Sequence, residues 1–274
     1  MNSEITVDPL APPSRINAAL ADLVDGLSKS WLWSAMALQD VKLRYRGSVL
    51  GPFWLTLSTL ILVAAMGGIY ARLFGMEVSH YLPFLTIGLV TWQFICSAIN
   101  EGCYTFLSSQ QIIQQACMPF SIYAWRTVCR NLLVLLHSAV ILPILFMICP
   151  TPIGWHVVTS ALALALLAIN AFWIAMLLGM ISARYRDVPP IVANAVQVVF
   201  FVTPIFWPPE SLGQWQSFLP INPVFAAIDV VRAPLLGSEP LAYSWTALLL
   251  ATLFGSLGTF AAFVKFRPSI AYWV

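Results

Sequence analysis

VVTSALALALLAINAFWIAMLLGMISA, residues 157–183, contains no charged side chain and is longer than one bilayer crossing requires. About 20 apolar residues wound as a helix cover the roughly 30 Å of hydrocarbon. Five further runs read the same way, at 52–71, 81–99, 131–148, 189–207 and 245–264. The chain is 60% hydrophobic and 9% charged, whereas a soluble domain carries about 25% charged residues. No soluble fold hides that much apolar surface. The sequence therefore predicts an all-α polytopic membrane protein with six transmembrane helices.

The basic residues orient it. With an inside N-terminus, Arg15, Lys29, Lys42, Arg44, Arg46, Arg126, Arg130, Arg184, Arg186, Lys265 and Arg267 lie inside, and only Arg72 and Arg232 lie outside. Lysine and arginine, not acids, set topology, and six spans return the C-terminus to the inside. The N-terminal residues open with Glu4 and Asp8 and lack the early apolar core of a cleavable signal.

Three parts follow: an N-terminal arm (1–27), a transmembrane domain (28–270) and a short inside tail (271–274). The arm carries Pro9, Pro12 and Pro13, then Leu20, Leu23, Val24 and Leu27 on one helical face, the pattern of a short surface helix. Over 28–46, Leu27, Trp31, Ala35, Leu38, Val41 and Tyr45 recur at spacings of three and four, with Lys29, Asp40, Lys42, Arg44 and Arg46 elsewhere. A basic amphipathic helix with tryptophan lies in the headgroup plane. Trp31 and Leu38 are its expected buried stripe.

Two inside connections stand out. LSSQQIIQQACMPF (107–120) is polar but uncharged and long enough for a short helix; ARYRDV (183–188) is tight and followed by Pro189 and Pro190. Either is a turn at the headgroups or a surface for a partner. The outside segment 208–244 is punctuated by Pro208, Pro209, Pro220, Pro223, Pro234 and Pro240, yet its pieces are apolar. Pieces too short to span and too apolar for a free loop read as re-entrant helices, which protein or a cavity must cover. Asp229 and Arg232, three apart, are placed to pair on one helix face. Small residues four apart, Ala171/Ala175/Gly179/Ala183 and Ala247/Ala251/Gly255/Thr259, mark close helix contacts.

The spans so drawn hold no interior Asp, Glu, Lys or Arg, which argues against an ion-coupled carrier. No potassium-filter motif or acidic ring suggests a selective channel, and no HExxH or GxSxG suggests an enzyme. The five cysteines form no CxxC pair, and His80, His137 and His156 stand apart, so no metal site is expected. A phosphate-binding loop needs Gly-Lys, but the lysines follow Ser28, Val41 and Val264. If this chain pumps, its motor is another polypeptide.

DVKLRYRGSVLGPFW (40–54) resembles the stretch of ABC-2 type permeases in which a basic interfacial helix enters the first span. ARYRDV (183–188) is similar to that family's loop after span four, and TPIF (203–206) to its end of span five. NPV (222–224) followed by VRAPLLG (231–237) resembles the polysaccharide-export branch. The pieces occur in order across about 28–270.

The resemblance implies an inner-membrane subunit with both termini cytoplasmic, acting as a homodimer with two copies of a separate ABC ATPase subunit. No cofactor is expected in this chain; ATP and Mg would sit in the partner. The substrate implied is a lipid-linked polysaccharide, most similar to the O-antigen type, with capsule and teichoic acid exporters in the same branch; nucleic acid is not expected. In that family the helix between spans two and three docks on the ATPase, which puts coupling on Gln110, Gln111 and Gln114 within 108–119; Arg184, Arg186 and Asp187 are coupling candidates as the other inside connection. Trp31, Leu38, Lys42, Arg44 and Arg46 belong to the interfacial helix. The outer gate falls on Trp207, Trp215, Phe218, Asn222, Phe225 and Arg232. Aromatic rings stack on sugar faces without sequence-specific bonds, as other polymer-binding platforms do. Trp54, Trp92, Phe94, Phe200 and Phe201 are the channel-lining candidates. An ABC-2 exporter of drugs or small lipid-like molecules, and a stand-alone channel or carrier, are the alternatives.

Overall fold

The computed structural model describes residues 14–274 apart from Leu50, Pro52, Pro152, Ile153 and Trp155. The proline-rich part of the arm and the Pro52 start of the first span lie outside the described residues. Helices α1 (Arg15–Ser28) and α2 (Ser30–Arg44) precede α3 (Phe53–Leu73) and α4 (Val78–Cys103). A 3-10 turn and the short α5 (Gln110–Gln115) lead to α6 (Ser121–Ala139), continued as α7 (Ile141–Ile148). Then come α8 (Val157–Arg184), α9 (Val188–Val202), a 3-10 stretch (Pro209–Ile221), α10 (Pro223–Leu235) and α11 (Ala242–Trp273). Every regular element among the described residues is helical.

Among the described residues, five stretches are long and apolar enough to cross a membrane: α3, α4, α6 with α7, α8 and α11. The 3-10 stretch and α10 form a pair bent by 107°, a sixth crossing or a re-entrant loop. Two expected boundaries are corrected. Span three begins at Ser121, not at 131, so Arg126 and Arg130 lie on the helix rather than in the connection before it. The run 189–207 is helical only over the 15 residues of α9 (188–202), about 22 Å, and the non-helical residues after it carry the chain on to Tyr81 at the far end of α4. The helix stops because Pro204 disfavours helical backbone at the residue before it, and Thr203 is extended (φ −94°, ψ 135°).

Helix α4 is central. Of its apolar window 61% is inside the protein, against 22% for α3 and 17% for α11, which leaves those two helices their outer surfaces for lipid or another chain. Small residues set the packing as expected. Ala171, Ala175 and Ala183 on α8 are buried. A Cβ on Gly102 of α4 would meet Ala175 Cα at 3.2 Å, and one on Gly255 of α11 would meet the Trp173 ring at 2.3 Å. Asn170 on α8 donates to Thr252 on α11 at 2.7 Å, a polar tie between membrane helices.

The two ends of α4 define two faces. Tyr81 lies near one end and Glu101 near the other, about 30 Å apart. The Glu101 end, where α1, α2, α5 and the end of α11 gather, is here the base; the Tyr81 end, with the bent pair, is the rim.

Candidate functional site

At the base, α2 packs on α6 through Trp33, stacked on Trp125 at 5.8 Å, and through buried Ala37 and Val41. Trp31 is 70% exposed and Leu38 is also exposed, so both turn away from the protein. The face covered by protein is thus rotated from the Trp31–Leu38 stripe, although Val41 belongs to both. Alternating charges lock it. Asp40 accepts from Arg126 Nε (2.7 Å) and Nη2 (2.5 Å) and from Arg130 Nη1 (2.9 Å). Glu101 of α4 accepts from Arg130 Nε (2.9 Å), from Asn131 Nδ2 (3.1 Å) and, on its other oxygen, from Arg44 Nη2 (2.7 Å). Lys42 and Arg46 stay exposed. The sequence reading that no acid or base enters a span is corrected here: Glu101, Arg126 and Arg130 lie on α4 and α6, each matched by an opposite charge.

Burial pushes the Asp40 carboxyl up, but the two guanidinium groups outweigh it and hold it below its ordinary 3.8. A depressed carboxyl stabilises the fold fully above its unfolded value and loses that contribution as pH falls through the folded one. Asp40→Ala leaves two largely buried arginines short of a partner, a loss of about 3 kcal/mol. We expect the melting-temperature gap between wild type and this variant to stay level from neutral pH down to about pH 4. A gap that closes above that range would mean that Asp40 is not held ionised by its arginines.

The connections 107–120 and 183–188 also meet at the base. Gln111 and Gln114 of α5 are exposed and Gln110 is half-buried; Arg184, Arg186 and Asp187 are exposed. The end of α11 bridges them: Gln114 Nε2 donates to Val274 O at 3.1 Å, and the Arg184 guanidinium lies 5.2 Å from the Trp273 ring.

Between base and rim, α4 and α9 form an open groove. It brings together three of the five channel candidates: Trp92 and Phe200 with ring centroids 5.5 Å apart, and Phe201 5.3 Å from Phe200. Phe201 is 60% exposed. Trp54 sits apart on α3, exposed, and Phe94 is buried and turned into an apolar cavity beside α8, α10 and α11. Asn100 and Gln197 line the groove as well. Composition missed them: Gln197 shares its run with Asn194, and Asn100 falls just past a run that already holds Gln93, so the amides alone did not single them out.

At the rim, the break after α9 is clasped. Asn222 Nδ2 donates to Thr203 Oγ1 (2.9 Å), Arg232 Nη1 to Pro204 O (2.9 Å) and Tyr81 OH to Phe206 O (2.5 Å). Backbone released from helical bonding inside a membrane needs such partners. A Cβ on Gly88 would lie 2.8 Å from Ile205 O, so glycine lets the strand-like segment reach α4. Asn222 also caps α10, accepting from Val224 N and Phe225 N. The expected Asp229–Arg232 pair is corrected. Asp229 accepts from Leu241 N (3.0 Å) and Ser244 Oγ (2.7 Å), capping α11, while Arg232 lies 4.0 Å over the Phe84 ring. A one-turn spacing permits a pair, but each side chain found a partner in a different element. Among the gate candidates, Asn222 is half-buried and Phe225 and Arg232 are buried in this framework. Trp215 and Phe218 form an exposed ring pair at 5.4 Å, and Trp207, half-buried, donates its indole N–H to Phe201 O at 3.4 Å.

Among the described residues no group of His, Cys, Asp and Glu could hold a metal ion. The fold is a multi-helix membrane bundle with a charged base and a groove open to its side. The chain belongs to the ABC-2 type transporter family, whose model matches residues 32–236. It is a multi-pass permease; the matched domain is the membrane part and lacks the ATPase domain. ABC-2 permeases pair with ABC ATPase subunits. The chain is 24% identical over 216 residues to an O-antigen export system permease protein, RfbA, of Klebsiella pneumoniae, covering 78% of this chain and 83% of that one. It is 22% identical over 206 residues to an O-antigen export system permease protein, RfbA, of Myxococcus xanthus, covering 73% and 78%.

Proposed function

We propose that two copies of this chain, with two copies of a separate ABC ATPase subunit, export a lipid-linked polysaccharide of the O-antigen type across the bacterial inner membrane. In this reading the base is cytoplasmic and carries both termini, and α5 with the 184–187 loop receives the ATPase. The Trp31–Leu38 side of α2 rests in the headgroups, where Lys42 and Arg46 are free to meet anionic lipid at about 1 kcal/mol each. The rim is the outer gate. The observation that carries the reading is the α4–α9 groove, where Trp92, Phe200 and Phe201 supply ring faces and Asn100 and Gln197 supply hydrogen bonds. Sugars offer both kinds of surface in alternation. The names of the relatives support the same substrate class.

The test is a deletion strain complemented with wild type or with Phe201→Ala/Gln197→Ala. Wild type should restore polymer at the cell surface. The variant, having lost about 1 kcal/mol of ring contact and one hydrogen bond, should restore it several-fold less and leave lipid-linked polymer inside. Surface polymer that is independent of this chain, together with lost resistance to small amphiphiles, would establish the drug-exporter alternative.

A further inference from the structure

The rim holds a cavity of about 610 Å³ between the bent pair and the start of α11, within the size range of small-molecule pockets. At its floor lie Asp229 and Arg232, 8% and 3% exposed. A guanidinium has five N–H donors, and Arg232 directs one of them to a protein acceptor, Pro204 O, among the described residues. The Phe84 and Phe225 rings, the Gln216 amide and the Ser217 and Tyr243 hydroxyls line the walls. Glu210 and Glu239 stand at the exposed edge.

This lining mixes donors, acceptors and ring faces at short range. A pyranose needs that mixture, because each hydroxyl both donates and accepts while its C–H face is apolar. An acyl chain would leave the buried charges unsolvated. The balance of charge then discriminates among polymers. Three carboxylates line the cavity against one guanidinium, and the remaining rim charges, Arg72 and Glu77, cancel. Like charges brought together in a partly desolvated pocket repel strongly, so a polymer carrying a phosphate or carboxylate on each repeat is disfavoured at this exit.

Resting on the export reading, we infer that this cavity is a subsite for an uncharged sugar unit, and that the chain is built to pass a neutral glycan rather than a polyanionic one. The purified permease in nanodiscs is probed by saturation-transfer NMR with two classes of ligand, a panel of uncharged hexose oligosaccharides and oligo(glycerol phosphate). Wild type should transfer saturation to the neutral oligosaccharides and not to the phosphate oligomer. Glu210→Gln/Glu239→Gln should admit the phosphate oligomer. Gln216→Ala/Tyr243→Phe, checked for an unchanged melting temperature, should reduce the neutral signal several-fold. Equal or stronger binding of the phosphate oligomer to wild type, no response to the neutral panel, or a neutral signal untouched by the Gln216/Tyr243 variant each overturns the inference. No ATPase or export is needed, so failure here leaves the surface-polymer result standing, and the converse also holds.

Discussion

Asp22→Ala is expected to lower the stability of the assembled bundle by about 3–5 kcal/mol and to reduce its abundance in membranes sharply. The Asp22 side chain is fully buried, yet it sits on α1, outside any span. Its two oxygens accept from Phe120 N (3.1 Å), Ser121 N (3.0 Å) and Ser121 Oγ (3.0 Å) at the start of α6, and from Arg267 Nε (3.0 Å) on α11. One carboxylate thus ties three helices together. It also takes up the positive end of α6, whose first N–H groups have no partner within the helix. Alanine strands those amides. Arg267 is a third exposed and reaches water, so Arg267→Met should cost only about 1 kcal/mol. Asp22→Asn, which keeps an acceptor but loses the charge, should fall between them. Thermal unfolding in detergent gives the order. If Arg267→Met proves as damaging as Asp22→Ala, the role of Asp22 is the ion pair and not the cap. Gly26→Ala approaches the same joint by another route, because its Cβ would lie 1.9 Å from Ser121 Oγ.

That joint was not legible in the sequence, for a physical reason. Apolar run length and the placement of arginines report where a chain meets lipid, so five of the crossings and the broken segment before α11 could be read directly. The ion pairs depend on which helices become neighbours. Asp40 and Arg126 are 86 residues apart, and Asp22 and Arg267 are 245 apart. Arg126 and Arg130 interrupt the hydropathy of 121–148, so the start of span three was displaced by ten residues; only their partners on α2 and α4 explain why a helix carries them. The rotation of α2 has a similar origin. Spacing identifies a stripe, but lipid and protein both accept apolar side chains, and Trp33 rather than Trp31 met Trp125. Within the groove, aromatic count pointed to Trp92, Phe200 and Phe201 but could not separate them from Phe94, whose ring packs inward.

Gly88→Ala is expected to open the rim. The added methyl would sit 2.8 Å from the Ile205 carbonyl and 3.4 Å from Arg232 Nη1. The first contact is with backbone, so the 203–206 segment must shift rather than a side chain rotate. Overpacking of this kind costs about 1–3 kcal/mol, which a bundle of this size survives. The clasp should fare worse, because the Arg232–Pro204 and Tyr81–Phe206 bonds both land on the displaced segment. Two carbonyls would then face a dry interior without donors, at about 1–3 kcal/mol each, and the segment would move toward water. In the export reading that segment anchors the outer gate, so the variant should conduct ions in reconstituted bilayers between transport cycles while remaining assembled and stimulating its ATPase. Gly68→Ala is the matched control: the same substitution in α3, where a Cβ meets nothing within 4 Å, should leave the membrane tight. Deleting 210–219 should give the same leak, since it removes the bent pair's first arm. An electrically tight Gly88→Ala that exports polymer at the wild-type rate would place the seal elsewhere, and Phe200 and Phe201, 5.3 Å apart on α9, would be the next side chains to replace.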